Sequence, residues 1–222
     1  MTTSSAPAGR TRRADAERNR ARILTAAREM FGASGLQVPM SEVARRADVG
    51  IATLARNFAD REELIAATFG ATMTAYADAA DTALADPDPW HGFCVYVETV
   101  CAMQAADRGF GAVLTMTFPT APEFEAERSR AYRAVVQLVK KAKTAGGLRA
   151  DFSPQDLPLM LMANAGVVSA TGDAAPEAWR RLVGYLLQAC SAEHTRPLPA
   201  PVPARQMYQA MQNIGRHGTP SG

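Results

Sequence analysis

The chain has 222 residues, 47% hydrophobic and 21% charged, which fits one or two compact domains of ordinary globular composition. A formal net charge of +2 predicts no partner by itself, but residues 1–61 hold eleven arginines against six acids, a net of +5, leaving −3 for the rest. Basic charge gathered at one end suits a polyanionic partner there.

Residues 1–14, MTTSSAPAGRTRRA, are rich in Ser, Thr, Ala, Gly and Arg and read as a disordered basic arm. Over 15–34, Ile23, Ala26, Ala27, Met30 and Phe31 recur at spacings of three and four and predict a helix ended by Gly32 and Gly35. A second helix starts near Pro39 and buries Met40, Val43, Ala44 and Ala47. A turn at Asp48-Val49-Gly50 follows, and a third helix carries Leu54 and Phe58 inward. Asp60 is placed to cap a long fourth helix, with Glu63 completing a capping-box-like pair.

The stretch ADPDPW at 85–90 is a break. Beyond it the spacing predicts helices over 90–107, 109–117, 121–145, 154–171 and 175–192, with no strand alternation. Thr120 with Pro122 can start one helix, Gly146-Gly147 ends it, and Ser153-Pro154 reads as an N-cap and first helical residue. The run RPLPAPVP at 196–203 breaks the pattern, and ARQMYQAMQNI is a possible short helix in an otherwise disordered tail. The expected fold is all-α with about nine helices. It divides into an arm (1–14), a three-helix unit (15–66), a larger helical unit (67–195) and a Pro-rich tail (196–222).

Two helices of barely two turns, back to back over 40–58, would be unstable alone. Helix, tight turn, helix is the form in which a second helix is offered to the DNA major groove, where only its first turns reach base edges. With Leu54 and Phe58 inward, Ile51, Ala52, Thr53, Ala55, Arg56 and Asn57 are left for contact. Arg56 could reach guanine or a phosphate, Asn57 adenine or a phosphate, and Thr53 offers a hydroxyl and a methyl.

The run ILTAAREMFGASGLQVPMSEVARRADVGIATLARNFADREELIAAT resembles the DNA-binding domain of TetR-family transcriptional regulators. Ile23, Leu24, Ala26, Ala27, Phe31 and Gly35 match the first part of that pattern. Val43, Ala44, Ala47, Val49, Thr53, Leu54 and Phe58 match the second, and Glu62, Glu63 and Leu64 the third. Asp48 stands where the family usually has Gly, Gly50 where it has a Ser or Thr cap, Ala55 for Tyr, and Asn57 for His or Tyr. The resemblance implies DNA contacts from Ser41, Gly50 and the outward face of 51–57, with Arg61 at the family's Lys position beside the helix-four N-terminus. Arg10, Arg12 and Arg13 read equally as a solvated tail or as an arm along the DNA. Arg18, Arg20 and Arg22 read as solvated helix-face charges.

The resemblance further implies a homodimer joined through the last two long helices and an effector cavity in the C-terminal half, hence a repressor released from a palindromic operator by a small apolar or amphipathic molecule. Leu157, Leu161, Ala165, Val168, Trp179, Leu182, Val183 and Leu186 are the expected seam. Phe93, Tyr96, Val97, Met103, Phe110, Leu114, Met116, Phe118, Tyr132, Val136, Met160 and Asn164 are the expected cavity lining, although an aromatic and Met stripe at helical spacing is equally what a plain core looks like. The alternatives are a regulator that needs no ligand and a helical enzyme, but no Ser/His/Asp set, paired carboxylates or Gly-rich phosphate loop is visible.

Cys94, Cys101 and Cys190 form no CxxC, the first 22 residues carry no secretory pattern, and a cytoplasmic location is expected. His91, His194 and His217 lie far apart and predict no metal, and no cofactor is expected. The longest near-apolar run, LPLMLMANAGVVSA, is too short to span a bilayer.

Overall fold

Ten helices and no strand occur among the residues that the computed structural model describes, 8–118, 120–194 and 196–217, with side chains placed from 13 to 213. They are α1 (Ala8–Ser34), α2 (Met40–Arg46), α3 (Ile51–Asn57), α4 (Arg61–Leu84), α5 (Pro89–Ala106), α6 (Arg108–Leu114), α7 (Pro122–Thr144), α8 (Asp156–Thr171), α9 (Ala178–Cys190) and α10 (Ala204–His217). Nine follow the expected order; the tenth is the tail helix. Among the described residues no helix is long and apolar enough to cross a membrane.

α1 starts at Ala8, so part of the expected arm is helical, while 1–7 lie outside the described residues. The cause is local. Residues 8–18 contain no helix breaker beyond Gly9, and Arg13–Glu17 and Asp15–Arg18 pair across one turn. Ile23, Ala26, Ala27 and Phe31 form the buried stripe. Gly35, at φ +80°, closes the helix with its N–H on the Phe31 carbonyl at 3.1 Å.

α4 begins as expected: Asp60 Oδ1 accepts from Glu63 N–H at 2.8 Å, and Glu63 Oε2 accepts from Ala59 N–H at 2.6 Å. Its buried face runs from Leu64 to Ala83 without interruption, so the expected domain boundary at 66/67 falls inside one helix that serves both units. Asp88 caps α5 through Trp90 N–H at 2.9 Å, with Pro89 at the first position.

α7 packs along α4. Arg130 fastens the pair, holding Asp78 at 2.7 Å and also Asp81 of α4. Pro122 starts α7 as expected, but Thr120 does not cap it; its N–H and hydroxyl bond Glu62 of α4 instead. α8 starts at Asp156 rather than Pro154. A start at Pro154 would place Pro158 where a backbone N–H must bond four residues back, and proline has none. Instead Asp156 N–H bonds the Ser153 carbonyl at 2.8 Å, and Ser153 N–H bonds Asp156 Oδ2 at 2.7 Å, making a turn before the helix.

The segment expected to be a disordered tail is tied down. Arg149, 7% exposed, pairs with Asp151 and donates to the carbonyls of Ala189 at 3.1 Å and Arg196 at 2.6 Å. Asp151 also accepts from Leu198 N–H at 3.0 Å, and with Arg149 beside it its carboxyl is held down at about 2. Met207 of α10 is buried. Pattern reading misses this because a lone Arg-x-Asp carries no periodicity.

Gly147 lies against Trp90: a Cβ there would come 2.4 Å from Trp90 Cβ. Gly147→Ala should therefore cost about 2 kcal/mol by overpacking and lower Tm by about 4–8 °C in a thermal melt.

Candidate nucleic-acid interface

The expected two short helices are present. The chain leaves α2 with Ala47 N–H on the Val43 carbonyl at 2.9 Å and turns through Asp48, the one described non-glycine residue at positive φ (+52°). Asp tolerates this left-handed conformation better than most residues. Val49 N–H then bonds the Ala44 carbonyl at 3.0 Å, which closes the turn. Gly50 caps α3 with extended backbone and no side-chain bond, so the first α3 amides stay open toward an outside acceptor.

Leu54 and Phe58 are each 1% exposed, whereas Ile51 is 53% exposed and Ala52, Ala55 and Arg56 also face solvent. Thr53 and Asn57 are half-buried. Arg56 donates from Nε to the Ala52 carbonyl at 3.1 Å and from Nη2 to Thr53 Oγ1 at 3.1 Å, and Asn57 Nδ2 donates to the Thr53 carbonyl at 2.8 Å. These bonds fold the polar side chains along the helix. Ser41 is exposed on the first turn of α2. The outward face of residues 51–57 is thus brought together as expected.

Two arginines expected to be merely solvated have structural roles. Arg20 of α1 donates to the Asn57 carbonyl at 3.2 Å, at the end of α3, and its guanidinium lies 4.4 Å from the Phe58 ring centroid. Arg22 donates to the Asp48 carbonyl at 2.9 Å and to its carboxylate at 2.6 Å. One α1 face therefore holds both ends of the turn and recognition helix. Sequence spacing alone could not show that these charges point at backbone carbonyls 26 and 37 residues away.

Arg61 is half-buried and bonds Gln37 Oε1 at 2.7 Å. Arg13 is exposed; Arg10 and Arg12 lie in α1, with side chains outside the described residues.

In the C-terminal part, Phe93, Tyr96, Val97, Phe110, Leu114, Met116, Phe118, Met160 and Asn164 are buried, and Met103 is half-buried against the same core. Tyr132 and Val136 are 48% and 37% exposed and line no interior space. The buried stripe of α7 is Ala131, Val135, Leu138 and Ala142, so both residues sit one position round the helix from it. A cleft of about 760 Å³ lies elsewhere, between α4 (Ala66, Gly70) and the start of α7 (Phe124, Glu127).

Four of the eight residues of the expected seam face inward. Leu157, Leu161, Trp179 and Val183 are buried within the monomer, while Ala165, Val168, Leu182 and Leu186 are half-buried. The outward apolar faces are Leu159 and Ala163 on α8, with Tyr185 on α9. The inward stripes of these helices take 157/161/164 and 179/183/187, so residues two positions from each stripe face out.

The three thiols are held protonated by burial. Cys101 is pushed up to about 12, and Cys94 and Cys190 to about 11, which makes them poor nucleophiles near neutral pH. Among the described residues no group of His, Cys, Asp and Glu is arranged to hold a metal.

The model of the bacterial regulatory proteins of the tetR family matches residues 23–68, which span the end of α1, α2, the turn, α3 and the start of α4. Those residues are a tetR-family DNA-binding domain, and the chain is a DNA-binding transcriptional regulator. Among solved structures it is similar to a TetR-family transcription regulator from Marinobacter aquaeolei VT8, at 20% identity and TM-score 0.57, covering 81% of this chain and 98% of the other. It is also similar to the fatty acid degradation regulator FadR of Bacillus halodurans (16%, TM-score 0.53, 75% and 97%) and to Bacillus subtilis FadR in complex with stearoyl-CoA (13%, TM-score 0.51, 76% and 96%). At these identities the likeness is one of fold. No curated protein matches.

Asp48→Val places a β-branched residue at positive φ, whereas Asp48→Gly does not, and both remove the carboxylate that Arg22 holds. The valine variant should be less stable than the glycine variant by about 1–2 kcal/mol, a Tm gap of about 2–8 °C, measured by thermal melts of the two proteins.

Proposed function

We propose that this protein is a homodimeric, cytoplasmic repressor that binds a palindromic operator through α3 of each copy and leaves it when a small apolar or amphipathic effector binds the C-terminal domain. The observation that carries the DNA-binding mode is the division of α3: Leu54 and Phe58 buried, Ile51, Ala52, Ala55 and Arg56 outward. Those outward residues, with Thr53 and Asn57, are the proposed base and phosphate contacts. Ser41, Gly50 and Arg61 are proposed as backbone contacts at neighbouring helix starts, and Arg10, Arg12 and Arg13 as phosphate contacts from the N-terminal end of α1.

Pairing of two copies follows from operator geometry, since two recognition helices on one face of DNA stand about 34–36 Å apart. The proposed seam uses Leu159, Ala163 and Tyr185 with Leu182 and Leu186. A dimer seated on a promoter excludes polymerase, which makes repression the direct consequence of binding. That a protein of this fold, B. subtilis FadR, is solved in complex with stearoyl-CoA supports a ligand-responsive second domain here. A second reading, a regulator that needs no ligand, is favoured by the close packing of Phe93, Tyr96 and Phe110 in the core. A thermal-shift screen of apolar compounds separates the two.

Arg56→Ala should weaken operator binding at least tenfold in a gel shift without lowering Tm, because its side chain touches only its own helix. Replacing Arg10, Arg12 and Arg13 by Ala should flatten the slope of log affinity against log salt, by up to about 0.9 for each phosphate that is no longer neutralised. Leu159→Asp with Tyr185→Asp should give a monomer in size-exclusion chromatography and abolish binding to a two-half-site operator. If the charged pair leaves the dimer intact, the seam lies elsewhere.

A further inference from the structure

A cleft of about 300 Å³ opens where the end of α1 meets α6 and α8. Phe31 and Gly32 of α1 form one wall, Ala112 and Arg108 of α6 a second, Ala165 and Val168 of α8 a third, and the buried Gln104 of α5 also lines it. Gln104 is 1% exposed, and its neighbour Asn164 is fully buried. Two amides at this depth are expected to have every polar atom matched.

Asn164 Nδ2 donates to the Cys101 carbonyl at 3.2 Å and to Gln104 Oε1 at 2.9 Å. The Cys101 carbonyl can only accept, so the Asn164 atom facing it is the amide nitrogen, and the Gln104 atom facing that nitrogen is the oxygen. This orientation leaves Gln104 Nε2, a donor, and Asn164 Oδ1, an acceptor, both buried and both without partners.

We infer that Gln104, held in orientation by Asn164, is the recognition point of a small-molecule site in this cleft, whose ligand is a small apolar compound bearing a carboxamide head. Such a head accepts from Gln104 Nε2, and its apolar body lies against Phe31, Ala112 and Val168. The volume, at the low end for ligand sites, selects a small molecule. The inference rests on the effector-release reading above and gives it a place and a chemistry.

The position also gives the regulation. Phe31 and Gly32 belong to the helix that holds the recognition helix. A Cβ at Gly109 of α6 would come 3.3 Å from Gly32 N and 2.8 Å from Phe69 Cζ, so α1 and α6 meet there without slack. A ligand bound between α8 and α1 biases how the DNA-binding unit is seated on α6, to the extent that it binds one seating better than the other.

The test uses the full chain with benzamide as the probe and ethylbenzene as a similar molecule lacking the polar head. Benzamide should raise Tm by about 5–10 °C at roughly a hundredfold excess over its Kd and release the operator, while ethylbenzene should do neither. Gln104→Leu with Asn164→Leu should keep operator binding, melt no lower than the parent without probe, and lose the benzamide shift. Ala112→Leu, which fills the cleft and keeps both amides, should lose it too. A benzamide shift that is absent in the parent, survives in both variants or is matched by ethylbenzene overturns the proposal. If benzamide fails while other compounds in a broad apolar panel release the operator, the effector reading stands and this site does not. If nothing releases it, the effector reading itself fails.

Discussion

A helix of seven residues cannot hold itself together in water, and every functional statement about this protein depends on how α3 is held. The apolar part of the answer is Leu54 and Phe58, sealed in the core. The polar part is Arg20 and Arg22, which reach from α1 to the carbonyls at the end of α3 and in the preceding turn. Hydrogen bonds from charged donors to otherwise open carbonyls are among the stronger ones a surface can make. Together they leave one face of α3 with no structural duty, and that is the condition for using it in recognition.

The DNA-binding unit is largely legible in the sequence because its physics is local. Stripes at three- and four-residue spacing, a turn centred on Asp48 and the Asp60–Glu63 cap all act within a few residues. Leu157 and Leu161 are read outward because α8 is apolar nearly all round and does not declare which stripe faces the core; Tyr132 and Val136 border the buried stripe of α7, and Trp179 and Val183 lie on the one apolar stripe of α9, which a monomer core and a dimer seam would use alike. Arg149 and Asp151, which fasten the tail, and Arg20 and Arg22 escape notice as structural groups because each acts on backbone far away in the chain. The expected start of α8 at Pro154 fails for a local reason instead: the missing donor of Pro158 forbids it whatever the context.

The C-terminal half shows how a core and a site can share residue types yet differ physically. Phe93, Val97 and Phe110 are buried among apolar neighbours, and their burial needs no further explanation than the hydrophobic effect. Gln104 and Asn164 are buried just as deeply but carry unmatched polar atoms, an expensive arrangement for a core that had only to be stable. The α1/α6/α8 cleft differs from the packed interior in that one of these unmatched groups, Gln104, borders open space.

α4 has a geometric consequence of its own. It is one unbroken rod of 24 residues, capped at Asp60 beside the recognition helix and bolted at its far half to α7 through Arg130. At 1.5 Å per residue it is about 36 Å long, so a tilt of about 5° at the bolted end carries the other end through about 3 Å. Two copies tilting in opposite senses would change the distance between their reading heads by about 6 Å, set against a required spacing of about 34–36 Å. The rod's stiffness is thus an amplifier: a rearrangement too small to disturb the packing of α7 is large on the scale of a groove.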